Sequence, residues 1–470
     1  MADVDLSPRT TPPHVTAQRP DLTTGPITRS LILFGLPTLG SNVLQSLNGS
    51  LNAVWVGHLL GENALAATQN ANLVMFLMFA LLFGFGMANT ILIGQNYGRR
   101  DIDQVRRVVG TSATMFVGLS LAIAVFGWLG TPPLLRLLAT PPEALPLAEA
   151  YLKIIFLTMP ASFFLTHLMM SLRGTGDSVT PLWWMLASVV LDSGLNPLFI
   201  AGIGPFPKLG IAGAAVATVI ANYVSLAGLL VSIYARDLPI RLRGSEWAYL
   251  RPDSNIIATV IGKGIPMSVQ MFIVSGSALF MISIINHEGV ITTAAYGVTQ
   301  QIWTYIQMPA MAIGAAVSTM VAQNIGADRW DRVRDITRSG IIISLVTTTT
   351  IVALLTLVDK WALGVFLSLH SPAMPIARHI QLIATWSFIM FGVTFVLLGT
   401  MRANGAVWAA VIILILSLFP FRIGLAMALH GWLGADAIWW SFPSSSAVSL
   451  LLSWGYYQSG RWKRARMTIG

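Results

Sequence analysis

Twelve apolar runs recur along this 470-residue chain, at 30–56, 68–95, 108–129, 152–172, 181–203, 211–234, 256–286, 294–323, 339–358, 378–400, 407–429 and 436–457. Each is long enough to cross a bilayer as a helix, which needs about 20 residues. Hydrophobic residues make up 55% of the chain and charged residues 10%, with a mean hydropathy of +0.71. A soluble domain carries about 25% charged residues, so most of this surface faces something other than water. The fold class that follows is an all-α polytopic membrane protein with twelve transmembrane helices.

The net charge of +9 reports orientation rather than a nucleic-acid partner. With loops assigned alternately from the inside, all Lys and Arg except Arg136, Lys153, Lys208, Lys360, Arg378 and Arg422 fall on the cytoplasmic side. That is the positive-inside asymmetry, and it places both termini inside. Residues 1–28 are rich in Pro and Thr and are expected to be disordered. They lack the basic-then-apolar layout of a signal peptide, so the first helix is expected to stay in the mature protein. The tail Arg461-Trp462-Lys463-Arg464-Ala465-Arg466, within residues 459–470, reads as a membrane-surface anchor. Cysteine is absent, which excludes disulfides and thiolate metal sites.

The chain is also written twice. Gln95-Asn96-Tyr97-Gly98-Arg99-Arg100-Asp101-Ile102-Asp103-Gln104-Val105-Arg106 recurs 228 positions later, from Gln323 to Arg334, with the Gln, Asn, Gly, Asp, Val and Arg unchanged. Gly35 and Pro37 recur as Gly264 and Pro266, and Arg173 and Gly176 as Arg402 and Gly405. Gly210-Ile211-Ala212-Gly213-Ala214 is echoed by Gly431-Trp432-Leu433-Gly434-Ala435. A period of half the chain length marks a duplicated unit. It divides the chain into an N-lobe at 29–235, a cytoplasmic linker at 236–255 and a C-lobe at 256–458. Six helices per half is an even number, so both halves start on the same face. They are parallel repeats about an axis along the membrane normal, with a site expected between or within them. The repeated turn itself reads as cytoplasmic punctuation.

Catalytic and metal motifs are missing, including any phosphate-cradling loop ending in Gly-Lys-Ser/Thr. The chain is therefore not read as an enzyme, no cofactor is expected, and uphill transport would run on an ion gradient. Ionisable groups within helices are functional candidates, because charge is costly in hydrocarbon. Three stand out. Asp192 lies mid-way along helix 5, with Asn196 one turn on and Pro197 next. Desolvation lets such a carboxylate be neutral at one point of a cycle and ionised at another; the other reading is a structural Asp, neutral or paired with Arg. His167 reads either as a titrating group or as hydrogen-bonded structure. Arg422 reads as an anion or carboxylate partner, or as a donor to carbonyls freed by Pro420.

Two polar stripes complete the candidates. Ser41, Gln45, Asn48 and Asn52 share one face of helix 1, reading as a hydrated cavity wall or as interhelical glue, and Pro37 allows a kink there. On helix 8, Tyr296, Gln300, Trp303 and Gln307 repeat that spacing, near Met267, Met271, Met281, Met308 and Met311. Thioethers suit surfaces that accept several ligands, although Met and aromatic stripes also build plain core.

These residues resemble the multidrug and toxic compound extrusion (MATE) family over about residues 28–458. The marks are Val56-Gly57 before Ala64-Leu65-Ala66-Ala67, the Gln95 and Gln323 turns, Arg173-Gly174-Thr175-Gly176-Asp177, Asn196-Pro197-Leu198-Phe199-Ile200, and Gly210–Ala214. The major facilitator superfamily shares parallel six-helix halves, but its loop signature is not met by Gly98-Arg99-Arg100-Asp101. The resemblance implies a monomeric, inner-membrane antiporter exporting cationic or amphipathic drugs against H⁺ or Na⁺ by alternating access. It further implies that Asp192, Asn196 and Asn52 couple the cation. Ser41, Gln45, Asn48, His167, Tyr296, Gln300, Trp303, Gln307 and Arg422 would line the substrate cavity.

Three departures stand out. The family's usual helix-1 Asp is Asn52 here, and the branch resembling DinF has Asn then Asp where this chain has Asp192 then Asn196. Helices 7 and 10 lack the acids of the branch resembling NorM, which favours H⁺ over Na⁺. The alternative is a lipid-linked saccharide flippase of the wider superfamily, which would need a strongly cationic cavity.

Overall fold

The computed structural model describes residues 22–138, 140–368 and 370–467. Every regular element among them is helical. The first lobe holds α1 (Ile27–Leu60), α2 (Glu62–Gly98), α3 (Ile102–Leu137), α4 (Leu145–Gly174), α5 (Val179–Ala201) and α6 (Ile211–Ala235). In it α4 packs on α2, α3 and α6, while α5 lies against α1 and α6. The second lobe begins with α7 (Ser254–Asn286), α8 (Val290–Gly326), α9 (Trp330–Leu357) and a short α10 (Asp359–Gly364). It continues through α11 (Ala373–Ala384), α12 (Ser387–Ala403), α13 (Val407–Leu416), α14 (Leu425–Leu433) and α15 (Asp436–Gln458).

Local chemistry sets several of these ends. Asp101 caps α3 by accepting from the Gln104 amide at 2.9 Å, and Asp253 caps α7 through the amides of Asn255 and Ile256, the usual role of Asp at an N-cap. Helix α1 runs across Pro37 without a break. Two spans expected as single helices are interrupted. Helices α11 and α12 form one span bent by 45°, where Phe388 and Ile389 bond back to Thr385 and Trp386, three residues earlier, in place of four. Between α13 and α14, residues Ser417–Gly424 form wide π-type turns around Pro420, which has no amide hydrogen to continue a regular ladder.

Ten described helices, α13–α14 counted as one, are long and apolar enough to cross a bilayer, and the α11–α12 pair is an eleventh. Helix α15 completes twelve spans. Its 23 residues include six serines, of which Ser441, Ser445, Ser446, Ser449 and Ser453 are buried, so its polarity faces the lobe interior.

The lobes meet reciprocally. Helix α1 packs on α8 as α7 packs on α2, and α2 packs on α8 between them. That is the pattern of a twofold axis relating parallel repeats. Small residues let these backbones approach: a Cβ on Gly84 would strike Gly264 and Ser268, and the Ser268 hydroxyl donates to the Leu81 carbonyl at 3.0 Å.

The duplicated Gln-Asn-x-Gly segment does more than punctuate. Gln95 and Gln323 are buried at the lobe interface. Gln95 Nε2 donates to the Ala403 carbonyl at 2.7 Å, and Gln323 Nε2 to the Gly174 carbonyl at 2.8 Å. Gly98 lies against the Gln323 backbone and Gly326 against the Gln95 backbone, each with no room for a Cβ. These contacts form a twofold seal on the side of the bundle that carries the start of α1 and the end of α15, the termini side. Polar residues at a helix end read in sequence as facing water; here they satisfy carbonyls of the opposite lobe.

The flanking segments also differ from expectation. Residues 1–21 lie outside the described residues, but Leu22 is buried and its carbonyl accepts from Asn324 Nδ2 at 3.0 Å, so residues 22–28 are ordered against the seal. The basic tail is docked rather than laid on lipid: Trp462 is buried, and Asn404 Nδ2 donates to the carbonyls of Trp462, Lys463 and Ala465. The linker is likewise seated on α3, with Arg106 paired to Glu246 and Thr114 donating to the Leu250 carbonyl at 2.6 Å.

Candidate functional site

Each lobe holds one polar region. In the first lobe Asp192 is 2% exposed. One of its carboxylate oxygens accepts from Thr218 Oγ1 at 3.0 Å and from Asn196 Nδ2 at 3.2 Å, and Asn48 of α1 lies close to the carboxylate. Asn196 sits where helical spacing from Asp192 puts it, and its amide also reaches the Asp192 carbonyl at 2.9 Å. Asn52, one turn beyond Asn48, donates to the Tyr151 hydroxyl at 3.2 Å. The amide oxygens of Asn52 and Asn196 are buried without a partner. Among the described residues no cation forms an ion pair with Asp192. Helices α1, α4, α5 and α6 thus converge on one carboxylate and two unsatisfied acceptors. That donor set can take up a proton or a small cation.

Other stripe residues of the first lobe are placed differently. The Ser41 hydroxyl donates to the Pro37 carbonyl at 3.0 Å and Gln45 is exposed. His167, expected in the cavity, is fully buried in the lobe core instead. Its Nε2 donates to the Val109 carbonyl at 3.2 Å, Asn89 Nδ2 approaches its Nδ1 at 3.4 Å, and its ring lies against Phe116 and Phe164. Burial with both ring nitrogens occupied makes it a structural histidine.

The second lobe encloses a cavity of about 310 Å³. Tyr296, Gln300, Trp303 and Gln307 from α8 line it together, with Met267, Met271, Met281 and Met311; Met308 does not. Trp303 Nε1 donates to Thr385 Oγ1 at 2.9 Å, which fixes the ring at the α11–α12 bend. Arg422, delivered by the π-type turns, donates from Nε to Ser445 at 2.9 Å and lies 4.8 Å from the Phe442 ring centre. Arg402 also lines the cavity, 5.1 Å from the Phe395 ring centre, with Nε and Nη2 buried and unpartnered. Among the described residues no Asp or Glu lines this cavity. An Arg within a transmembrane helix costs about 2.5–3.5 kcal/mol on insertion scales. One hydrogen bond to a charged group returns about 1.5–3 kcal/mol, which offsets that cost for Arg422; Arg402, in the last turn of α12 beside the seal, has no partner at Nε or Nη2.

Sequence reasoning missed Tyr151, Thr218 and Arg402. Thr218 and Asn222, one turn apart on α6, were the available signal, since Asn222 Nδ2 donates to the Thr218 carbonyl and Oδ1 accepts from Ser162. In sequence Arg402 reads as part of a cytoplasmic loop, like its repeat mate Arg173.

Comparison with known proteins decides the family. Residues 37–198 and 266–428 each match the MatE family profile, one match per repeat. The chain belongs to the MATE family. It is 36% identical over 442 residues to the probable multidrug resistance protein YoeA of Bacillus subtilis, covering 94% of this chain and 95% of that one. It is 30% identical over 449 residues to YpnP of the same organism, also a probable multidrug resistance protein, covering 95% and 98%. A solved outward-facing conformation of a multidrug resistance MATE family transporter superposes with a TM-score of 0.83 at 20% identity, covering 93% and 96%. MATE proteins are transporters, so this chain is a multi-pass membrane transporter and not an enzyme.

Proposed function

We propose that the chain is a secondary active multidrug exporter of the bacterial inner membrane, exchanging amphipathic compounds for protons. The observation that carries this reading is Asp192, a buried carboxylate with hydroxyl and amide donors but no cationic partner. A carboxylate so held exchanges between neutral and ionised forms, and one pH unit of gradient supplies about 1.4 kcal/mol per proton. Multidrug resistance names among the relatives support drug cargo.

With the termini side cytoplasmic, as the charge asymmetry argues, the Gln95 and Gln323 seal closes the inner side, which corresponds to an outward-facing state. In this state Asp192 takes a proton from outside, the network of Asn48, Asn52, Asn196 and Thr218 rearranges, and cargo leaves the second-lobe cavity. Opening the seal then returns the proton to the cytoplasm and admits new cargo.

The test is dye efflux from proteoliposomes under ΔpH and under ΔNa⁺, imposed separately. ΔpH alone is expected to drive efflux, and Asp192→Asn, inserted normally, is expected to lose at least about 90% of it, since the neutral amide carries no proton. Full ΔpH-driven efflux by Asp192→Asn would refute the assignment.

A further inference from the structure

The two lobes have opposite electrostatic character. In repeat register Asp192 corresponds to Phe421, while Arg422 corresponds to Ser193; the duplicated frame holds an anion on one side and a cation on the other. The second-lobe cavity is the unusual half. Two guanidiniums, Arg402 and Arg422, line it with no carboxylate among the lining residues. Arg402 is 3% exposed and two of its nitrogens are buried without a partner. Arg422 has one hydrogen bond, to Ser445. Among the described residues no carboxylate pairs with either, and both lie beside aromatic rings, Phe395 and Phe442.

We infer that this cavity takes aromatic anions: flat ring systems carrying a carboxylate or comparable group. The inference rests on the reading of the cavity as the cargo site and narrows its cargo away from cations. Tyr296, Trp303, Phe388 and Phe442 form a set of ring contacts, with Tyr296 edge-on to Trp303 at 6.0 Å and Trp303 5.1 Å from Phe442, and such surfaces receive planar ligands. Anionic oxygens of the ligand supply acceptors that Arg402 and Arg422 each lack. A cavity of about 310 Å³ lies at the lower end of the range for drug-sized ligands, about 300–1,000 Å³, and admits a compact tricycle. Lipid-linked cargo would not use the ring set, which favours a free aromatic anion over a lipid phosphate.

Fluorescein and rhodamine 123 share a xanthene skeleton and differ in charge, so they isolate the electrostatic part. Anisotropy titrations of the purified full-length protein in detergent need no gradient, and their outcome is separable from that of the antiport reading. Fluorescein is expected to bind at least about ten-fold more tightly than rhodamine 123, the scale of one charge-assisted contact. Arg422→Gln is expected to abolish that preference and Arg422→Lys to restore part of it. Arg402→Lys, which keeps the charge, is expected to retain it where Arg402→Gln loses it. Equal binding of the two dyes by the wild-type protein, or preference for rhodamine 123, would overturn the inference without any variant. Binding of phosphatidic acid from mixed micelles with no binding of fluorescein would overturn it in favour of a lipid headgroup.

Discussion

Asp192, His167 and Arg402 show how environment assigns a role to an ionisable side chain in a bundle. Asp192 and His167 are buried to similar degrees, yet the imidazole has a partner at each ring nitrogen while the carboxylate sits among hydroxyl and amide donors with no cation. His167 spends both nitrogens on structure, so His167→Phe should retain the ring stack and lose the bond to Val109. A lost buried hydrogen bond costs about 1–3 kcal/mol. A matching fall in thermal stability in detergent, with efflux per folded molecule unchanged, is the expected outcome. At this scale sequence was partly informative. Asp192 and Asn196 were legible because one helix presents both. Tyr151 and Thr218 were not, because α4 and α6 bring them to Asp192 only through tertiary packing.

Helices interrupted by chemistry place the second-lobe cavity. Apolar length and the repeat made the number and direction of the spans legible. The bend at Thr385 and the wide turns at Ser417–Gly424 were not, because an apolar run of sufficient length reads as one helix whatever its internal hydrogen bonding. Pro420 was the visible trace of the second. Restoring an amide hydrogen with Pro420→Ala lets the ladder regularise and turns Arg422 away from Ser445. The variant should gain stability, by at most ~3 kcal/mol for a proline removed from a helix interior, and lose affinity for fluorescein. Calorimetry and the anisotropy titration report the two effects separately. The other element-scale lesson is the glycine pair at the seal. A side chain at Gly98 must displace the Gln323 backbone, so Gly98→Val should bias the protein toward the form open on the termini side. A single cysteine at Ala403, which would be shielded by Gln95 in the sealed form, should then label faster with a water-soluble maleimide.

The whole molecule is a duplicated frame whose halves differ where the chemistry is. The repeat supplies reciprocal packing of α1 on α8 and α7 on α2, and the hydrogen bonds joining the lobes through Gln95 and Gln323 lie on the termini side. Exchange by alternating access requires that this seal open in every cycle. The absence of native cysteine makes the requirement directly testable. A Cβ on Gly94 would lie 3.2 Å from Ala322 Cβ, near the separation of about 3.5–4.5 Å that a disulfide spans. Gly94→Cys with Ala322→Cys, oxidised in proteoliposomes, therefore locks the lobes together at the seal. The account predicts that ΔpH-driven dye efflux stops on oxidation and recovers on reduction with dithiothreitol, while either single variant is insensitive to both. Continued efflux with the cross-link complete would contradict it.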